Sequence, residues 1–283
     1  MYRYLGSTDI FLYDFIGTSA FVFLLFFNIF HYKKKRNILS YCSTSAMNVF
    51  SKKHQKPITK VFSNATFWAI IETILISIVQ YAFALNLNQG FGDMVRTGSN
   101  YYGLLFFSPV LMFALCLAIW LDPLKQIDLI TPSFPFALVF SRIACFCNGC
   151  CGGIEWSSGL YNYYTNRVEF PLQLLEAGLA LLIFIFLMFW RNKAKPGTMF
   201  PTYLIIYSAS RFFIEFLSNK ENVFGIFKRY HVICAVGVVV GIIELVIVLK
   251  FGKDISDLFS ESHYFIPNKT KKKNKKKKTE SNA

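Results

Sequence analysis

The chain has 283 residues, is 54% hydrophobic and 18% aromatic, and carries a formal net charge of +14. That charge does not mark a nucleic-acid binder, because the apolar residues come in blocks of about twenty rather than in short amphipathic periods. A helix of that length crosses a bilayer core and satisfies its own backbone polar groups in lipid, so the sequence predicts an all-α polytopic membrane protein.

Seven spans are predicted, over residues 10–31, 65–85, 101–120, 128–147, 170–190, 199–218 and 231–250. The first is read as a transmembrane helix and not a signal peptide. Its cluster Lys33-Lys34-Lys35-Arg36 follows the apolar run instead of preceding it, and Asp9 and Asp14 break up its start. With the N-terminus outside, segments 32–64, 121–127 and 191–198 and the C-terminal tail are cytoplasmic and hold most of the Lys and Arg residues. The expected location is the cell membrane, crossed several times. Residues 1–252 are expected to form one membrane domain. Residues 253–283, rich in lysine, cannot bury a core and are expected to be a disordered cytoplasmic tail. That tail is either a solvated topogenic segment or a contact for anionic lipid on the inner leaflet.

Two arginines interrupt the apolar blocks: Arg142 in the fourth span and Arg211 in the sixth. A guanidinium in a membrane core costs at least about 2.5 kcal/mol, so each is expected to face a polar cavity or an anion. A phospholipid headgroup is the nearest candidate. The plainer alternatives are an Arg211–Glu215 ion pair within one helix, and an Arg142 that snorkels to the interface.

Three pieces are expected to converge on the outer half of the membrane. The first, Ser141-Arg-Ile-Ala-Cys-Phe-Cys-Asn-Gly-Cys-Cys-Gly-Gly153, closes the fourth span at a glycine-rich turn. The second, Phe170-Pro-Leu-Gln-Leu-Leu-Glu176, opens the fifth, and Pro171 suits a first helical turn. In the third, Tyr207, Arg211 and Glu215 are spaced four apart and share a helix face.

In this order the pieces resemble the prolipoprotein diacylglyceryl transferase family over roughly residues 95–245. The family's pattern is an Arg-Ile-Gly-Asn-Phe-x-Asn-Gly-Glu helix end, a Pro-x-Gln-x-x-Glu helix start and a Tyr-x-x-x-Arg-Phe-x-x-Glu helix. The resemblance implies an enzyme that moves the diacylglyceryl group of phosphatidylglycerol to the lipobox cysteine thiol of a preprolipoprotein. Glycerol phosphate is released. Its partners are then phosphatidylglycerol, membrane lipid and preprolipoprotein signal peptides, with no nucleic acid, metal or organic cofactor implied. Arg142 and Arg211 match the family's arginines and are expected to bind the phosphate, with Tyr207 donating a hydrogen bond. Glu176 and Glu215 orient them, while Gln173, Asn148, Gly149 and Gly153 match residues that shape the headgroup pocket.

The sequence departs from the pattern at three places. Tyr101 stands where the family has a histidine, and a phenol is a poor base at neutral pH. Cys150 replaces the acid after Asn-Gly, and Cys145 replaces an asparagine. His231, at the mouth of the seventh span, is either a substitute base or an interfacial histidine. The cysteines Cys145, Cys147, Cys150 and Cys151 admit packing of helix ends, a disulfide from Cys147 to Cys150 or Cys151, or a catalytic thiol at Cys150. Metal binding is the least expected, because separated ligand pairs are missing. Two rival readings stand beside the transferase: a same-fold paralogue with other lipid or thiol chemistry, and a transporter or anion-binding protein without chemistry.

Overall fold

The structure is a computed structural model and describes Phe23, Ile71 and residues 100–118, 122–147, 149–163, 165–191 and 193–260. The predicted spans 10–31 and 65–85 lie outside the described residues, apart from one residue each. So do Asn148 and the chain after Ser260.

In chain order the elements are α1 (Asn100–Ala118), α2 (Pro123–Ile130), α3 (Ser133–Cys147), β1 (Glu155–Asn162), β2 (Arg167–Glu169), α4 (Leu172–Trp190), α5 (Met199–Glu215), β3 (Asn222–Phe224), β4 (Phe227–Lys228) and α6 (Arg229–Ser260). Three stretches are long and apolar enough to cross a membrane: Pro123–Cys147, Leu172–Trp190 and Arg229–Ser256.

The first of these is α2 and α3 in succession. Asp122 caps α2, accepting from the Leu124 N–H at 3.1 Å and the Lys125 N–H at 3.3 Å. Pro123 fills a first-turn position where no N–H is needed. This Asp-Pro start carries the helix five residues ahead of the expected boundary at 128. Pro132, with no N–H to give, then interrupts the ladder before α3 begins.

The N-terminus of α5 is held from a distance. Thr198 makes no side-chain cap. Asp128 of α2 accepts instead from the Gly197 N–H at 2.6 Å and the Met199 N–H at 2.9 Å, placing a carboxylate at the positive end of the helix dipole. That contact docks α2 against α5.

Helix α3 packs along α4, and α5 packs along α6. Tyr203, Phe134, Leu105, Met112, Ile130 and Leu172 are fully buried among them. The outward faces stay apolar: Phe189 is 80% exposed, Phe213 71% and Leu182 62%. In water such faces would be aggregation-prone, whereas in lipid they are the ordinary state. Helix α6 runs to Ser260, past the end of its apolar block at residue 250, and Ser256 Oγ ties it to Asp122 Oδ2 at 2.5 Å.

The all-α expectation needs one correction. Two short antiparallel hairpins, β1–β2 and β3–β4, occupy the end of the bundle where α3 and α5 finish. In the first, Tyr161 pairs with Val168 and Asn162 with Arg167, and Asn166 takes the left-handed conformation (φ 54°) that asparagine tolerates. A bridge from Gly153 to Ser218 joins the two connecting segments. Neither hairpin carries the apolar–polar alternation that announces a strand, so periodicity does not reveal them.

Candidate functional site

The end of α3 closes in a paired backbone motif. The Gly149 N–H donates to Phe146 O at 3.1 Å and the Cys150 N–H to Cys145 O at 3.2 Å, with Gly149 left-handed at φ 69°. This is the helix stop that a glycine at that position permits. Two side chains then fix the turn. Asn162 of β1 donates through Nδ2 to Gly149 O at 2.9 Å, and Gln173 of α4 donates through Nε2 to Cys150 O at 2.5 Å. Gly153 sits so tightly that an added Cβ would lie 2.7 Å from Phe170 O and 2.8 Å from Leu217 O. Gly149, Gly153 and Gln173 thus shape the site through backbone contacts.

Glu176, one turn deeper on α4 than Gln173, gathers both arginines. Arg142 Nε of α3 lies 2.5 Å from Glu176 Oε2, a charge contact off the N–H axis. Arg211 Nη1 of α5 bonds the other oxygen, Oε1. Arg211 Nη2 lies 2.6 Å from Glu215 Oε2, one turn along its own helix. All four are buried, with residual exposures of 9% for Arg142, 5% for Arg211, 6% for Glu176 and 0% for Glu215. The two arginines expected to share a cavity do meet, with a carboxylate between them. Nε of Arg142 is buried without a hydrogen bond.

A third cation was not legible in the motifs. Lys220, in the segment after α5, places Nζ 4.0 Å from Glu215 Oε1 and 3.8 Å from the centre of the Tyr230 ring. Burial pulls its pKa below the ordinary lysine value, against the opposing pull of Glu215. Three cations, Arg142, Arg211 and Lys220, thus face two carboxylates, Glu176 and Glu215. The only sequence hint was position, five residues past Glu215.

Tyrosines line the neighbouring wall. Tyr207 packs against Tyr101, Tyr102 and Tyr203 with ring centroids 5.1, 5.6 and 5.9 Å apart, within electrostatic reach of Arg142, Arg211 and Glu176. Tyr101 shares a hydrogen bond with the Tyr203 hydroxyl. His231 is placed differently. Its Nδ1 accepts from the Lys228 N–H at 2.9 Å, and its ring centre lies 4.3 Å from Phe216, 4.9 Å from Phe212 and 5.5 Å from Phe227. Among the described residues, no hydrogen bond or ion pair joins it to Arg142, Arg211 or Glu176. Lys228 also closes the end of α5, its Nζ donating to the carbonyls of Glu215, Phe216 and Ser218 at 2.9, 3.2 and 2.5 Å.

No disulfide joins the cysteines of the run among the described residues. The Sγ atoms of Cys145, Cys150 and Cys151 lie within 4.8 Å of one another. Hydrogen bonds from the Cys145 and Cys150 thiols hold Cys151 well below the ordinary thiol range, and the Arg142 charge adds to the effect.

The model of the family described as prolipoprotein diacylglyceryl transferase matches residues 4–247. The chain belongs to the prolipoprotein diacylglyceryl transferase family. This match extends the resemblance back through the first two predicted spans. Among individual relatives, a phosphatidylglycerol–prolipoprotein diacylglyceryl transferase of Clostridium tetani is 32% identical over 129 residues, covering 43% of this chain and 52% of the relative. One from Chlorobaculum tepidum is 32% identical over 148 residues (46% and 51%). One from Campylobacter curvus is 28% identical over 207 residues (64% and 73%). The chain thus spans about half the length of the first two. Family membership and the three apolar helices make this diacylglyceryl transferase homologue a membrane protein.

Proposed function

We propose that this chain transfers the diacylglyceryl group of phosphatidylglycerol to the lipobox cysteine of preprolipoproteins at the outer leaflet of the cell membrane. It does so from a fold of seven spans, N-terminus outside and C-terminus inside, followed by the Lys-rich tail. The observation that carries this reading is Glu176 holding Arg142 and Arg211 together in a buried site.

The chemistry follows from that arrangement. Transfer breaks the bond between the glyceryl carbon and a phosphate oxygen while the acceptor sulfur forms a thioether. The phosphate leaves with the bonding pair, and negative charge grows on its oxygens. Fixed cations in a water-poor site stabilise that charge far better than water-exposed ones. Arg142 offers its terminal nitrogens as a planar fork that fits phosphate oxygens. Arg211 and Lys220 supply further positive charge, which favours an anionic lipid. Glu176 and Glu215 hold the guanidinium groups in place before substrate arrives. Tyr207 donates to the phosphate, while Asn148, Gly149, Gly153, Gln173 and Cys150 wall the headgroup. Tyr101 acts through Tyr203 to fix the tyrosine wall, and His231 secures the β3–β4 hairpin.

A same-fold protein with thiol chemistry is the second reading, favoured by the Cys145, Cys150 and Cys151 cluster. One assay separates the two. Purified protein in vesicles of radiolabelled phosphatidylglycerol should label a lipobox peptide and release glycerol phosphate. A peptide left unlabelled by protein that binds the lipid would overturn the transferase reading.

A further inference from the structure

Neither of the two bases that the sequence offered is poised at the ion-pair cluster. Tyr101 is engaged with Tyr203, and His231 sits in a phenylalanine cage. Beside Arg142, three thiols converge, and no role has been given to Cys145 or Cys151.

We propose that Cys145, Cys150 and Cys151 form a three-thiolate zinc site whose open fourth position takes the thiol of the acceptor peptide. The role given to the metal rests on the transferase reading; the site itself does not.

The geometry is close to what zinc needs. Four-coordinate zinc with Zn–S bonds of about 2.3 Å sets its sulfurs about 3.8 Å apart. The three Sγ atoms lie within 4.8 Å of one another. A set of three sulfurs selects a thiophilic ion over magnesium or calcium. No fourth His, Cys, Asp or Glu joins the group among the described residues. Three protein ligands and one open position is the arrangement of catalytic, not structural, zinc.

The loop is also built in advance. The closure of α3 fixes Cys145 relative to Cys150, Gln173 holds the Cys150 carbonyl, and Asn162 holds the Gly149 carbonyl. Cys151 occupies the left-handed region at φ 60°, which a non-glycine residue keeps only where its surroundings impose it. Position completes the case. Cys145 lies one turn beyond Arg142 on α3, so a sulfur bound at the open position sits next to the proposed phosphate site. Zinc with three thiolates carries one net negative charge, and Arg142 lies beside it.

In this arrangement the acceptor thiol binds zinc and gives its proton to water, since coordination deprotonates a thiol outright. The sulfur lone pair then forms the C–S bond as the C–O bond to phosphate breaks. Glycerol phosphate departs with that electron pair, so no oxidant or reductant is required.

The test uses full-length protein in phosphatidylglycerol nanodiscs, purified without chelator. About one zinc ion per chain is expected by elemental analysis. Cobalt(II) exchanged into the site should show thiolate-to-metal charge transfer that shifts when a lipobox peptide is added, but not when its cysteine is replaced by serine. Cys150→Ser and Cys151→Ser should each weaken zinc binding more than about tenfold, while Cys147→Ser retains it. Chelation should slow transfer at least about a hundredfold, with zinc restoring it. Active protein that holds no zinc, or that carries a Cys150–Cys151 disulfide, overturns the proposal. A cobalt spectrum indifferent to the peptide also overturns it. Zinc bound as described with no transfer to any peptide overturns the transferase reading and leaves the metal site standing.

Discussion

At Glu176 one carboxylate answers two guanidinium groups from different helices. The arginines were legible in the sequence because a permanent cation in an apolar block is an anomaly with a known cost. The shared carboxylate was not, since it arises only when α3, α4 and α5 pack together. Removing one partner of a buried ion pair typically costs about 3–5 kcal/mol. Glu176→Gln should therefore lower the thermal midpoint in detergent and depress transfer together, and unchanged melting would argue against a clamp. Lys220 gives a pH prediction. Burial lowers its pKa, so it loses its proton below the usual lysine range as pH rises. Its deprotonation removes one of the three cations of the cluster, so KM for phosphatidylglycerol should climb with pH in that window. In Lys220→Met the alkaline rise should vanish and KM should be high throughout; an unaltered profile would take Lys220 out of lipid binding.

Among the elements, the helix boundaries followed capping chemistry more closely than hydropathy. Asp122 and Pro123 start α2 ahead of the apolar block, and Gly149 stops α3 where a glycine-rich turn was expected. The hairpins were illegible because neither alternates apolar and polar residues, and side chains brace their paired backbones. In the first, Glu169 accepts from Asn162 at 3.1 Å and from Thr165 at 2.6 Å. Two glycines separate tight from loose packing. Gly153→Ala pushes a Cβ against two backbone carbonyls and should reduce both folded yield and transfer. Gly178→Ala in α4 meets nothing within 4 Å and should raise helix stability by about 0.5–1 kcal/mol. Melting curves of the two variants moving in the same direction would contradict this packing.

For the whole molecule, charge placement gave an orientation and the family match gave a fold family, and each rests on different residues. The proposed orientation predicts that a cysteine introduced at Ser158 is labelled by an impermeant maleimide in intact cells. One introduced at Lys195 should react only after permeabilisation, and the opposite pattern would invert the topology. The central claim is that Arg142 and Arg211 act on one phosphate as a unit. Its most direct measurement is the rate of diacylglyceryl transfer for wild type, Arg142→Ala, Arg211→Ala and the double variant. Groups that act as a unit are strongly non-additive. Each single variant should lose at least about a hundredfold, and the double should be scarcely slower than either. Full activity in either single variant, or losses that simply multiply, would contradict the account.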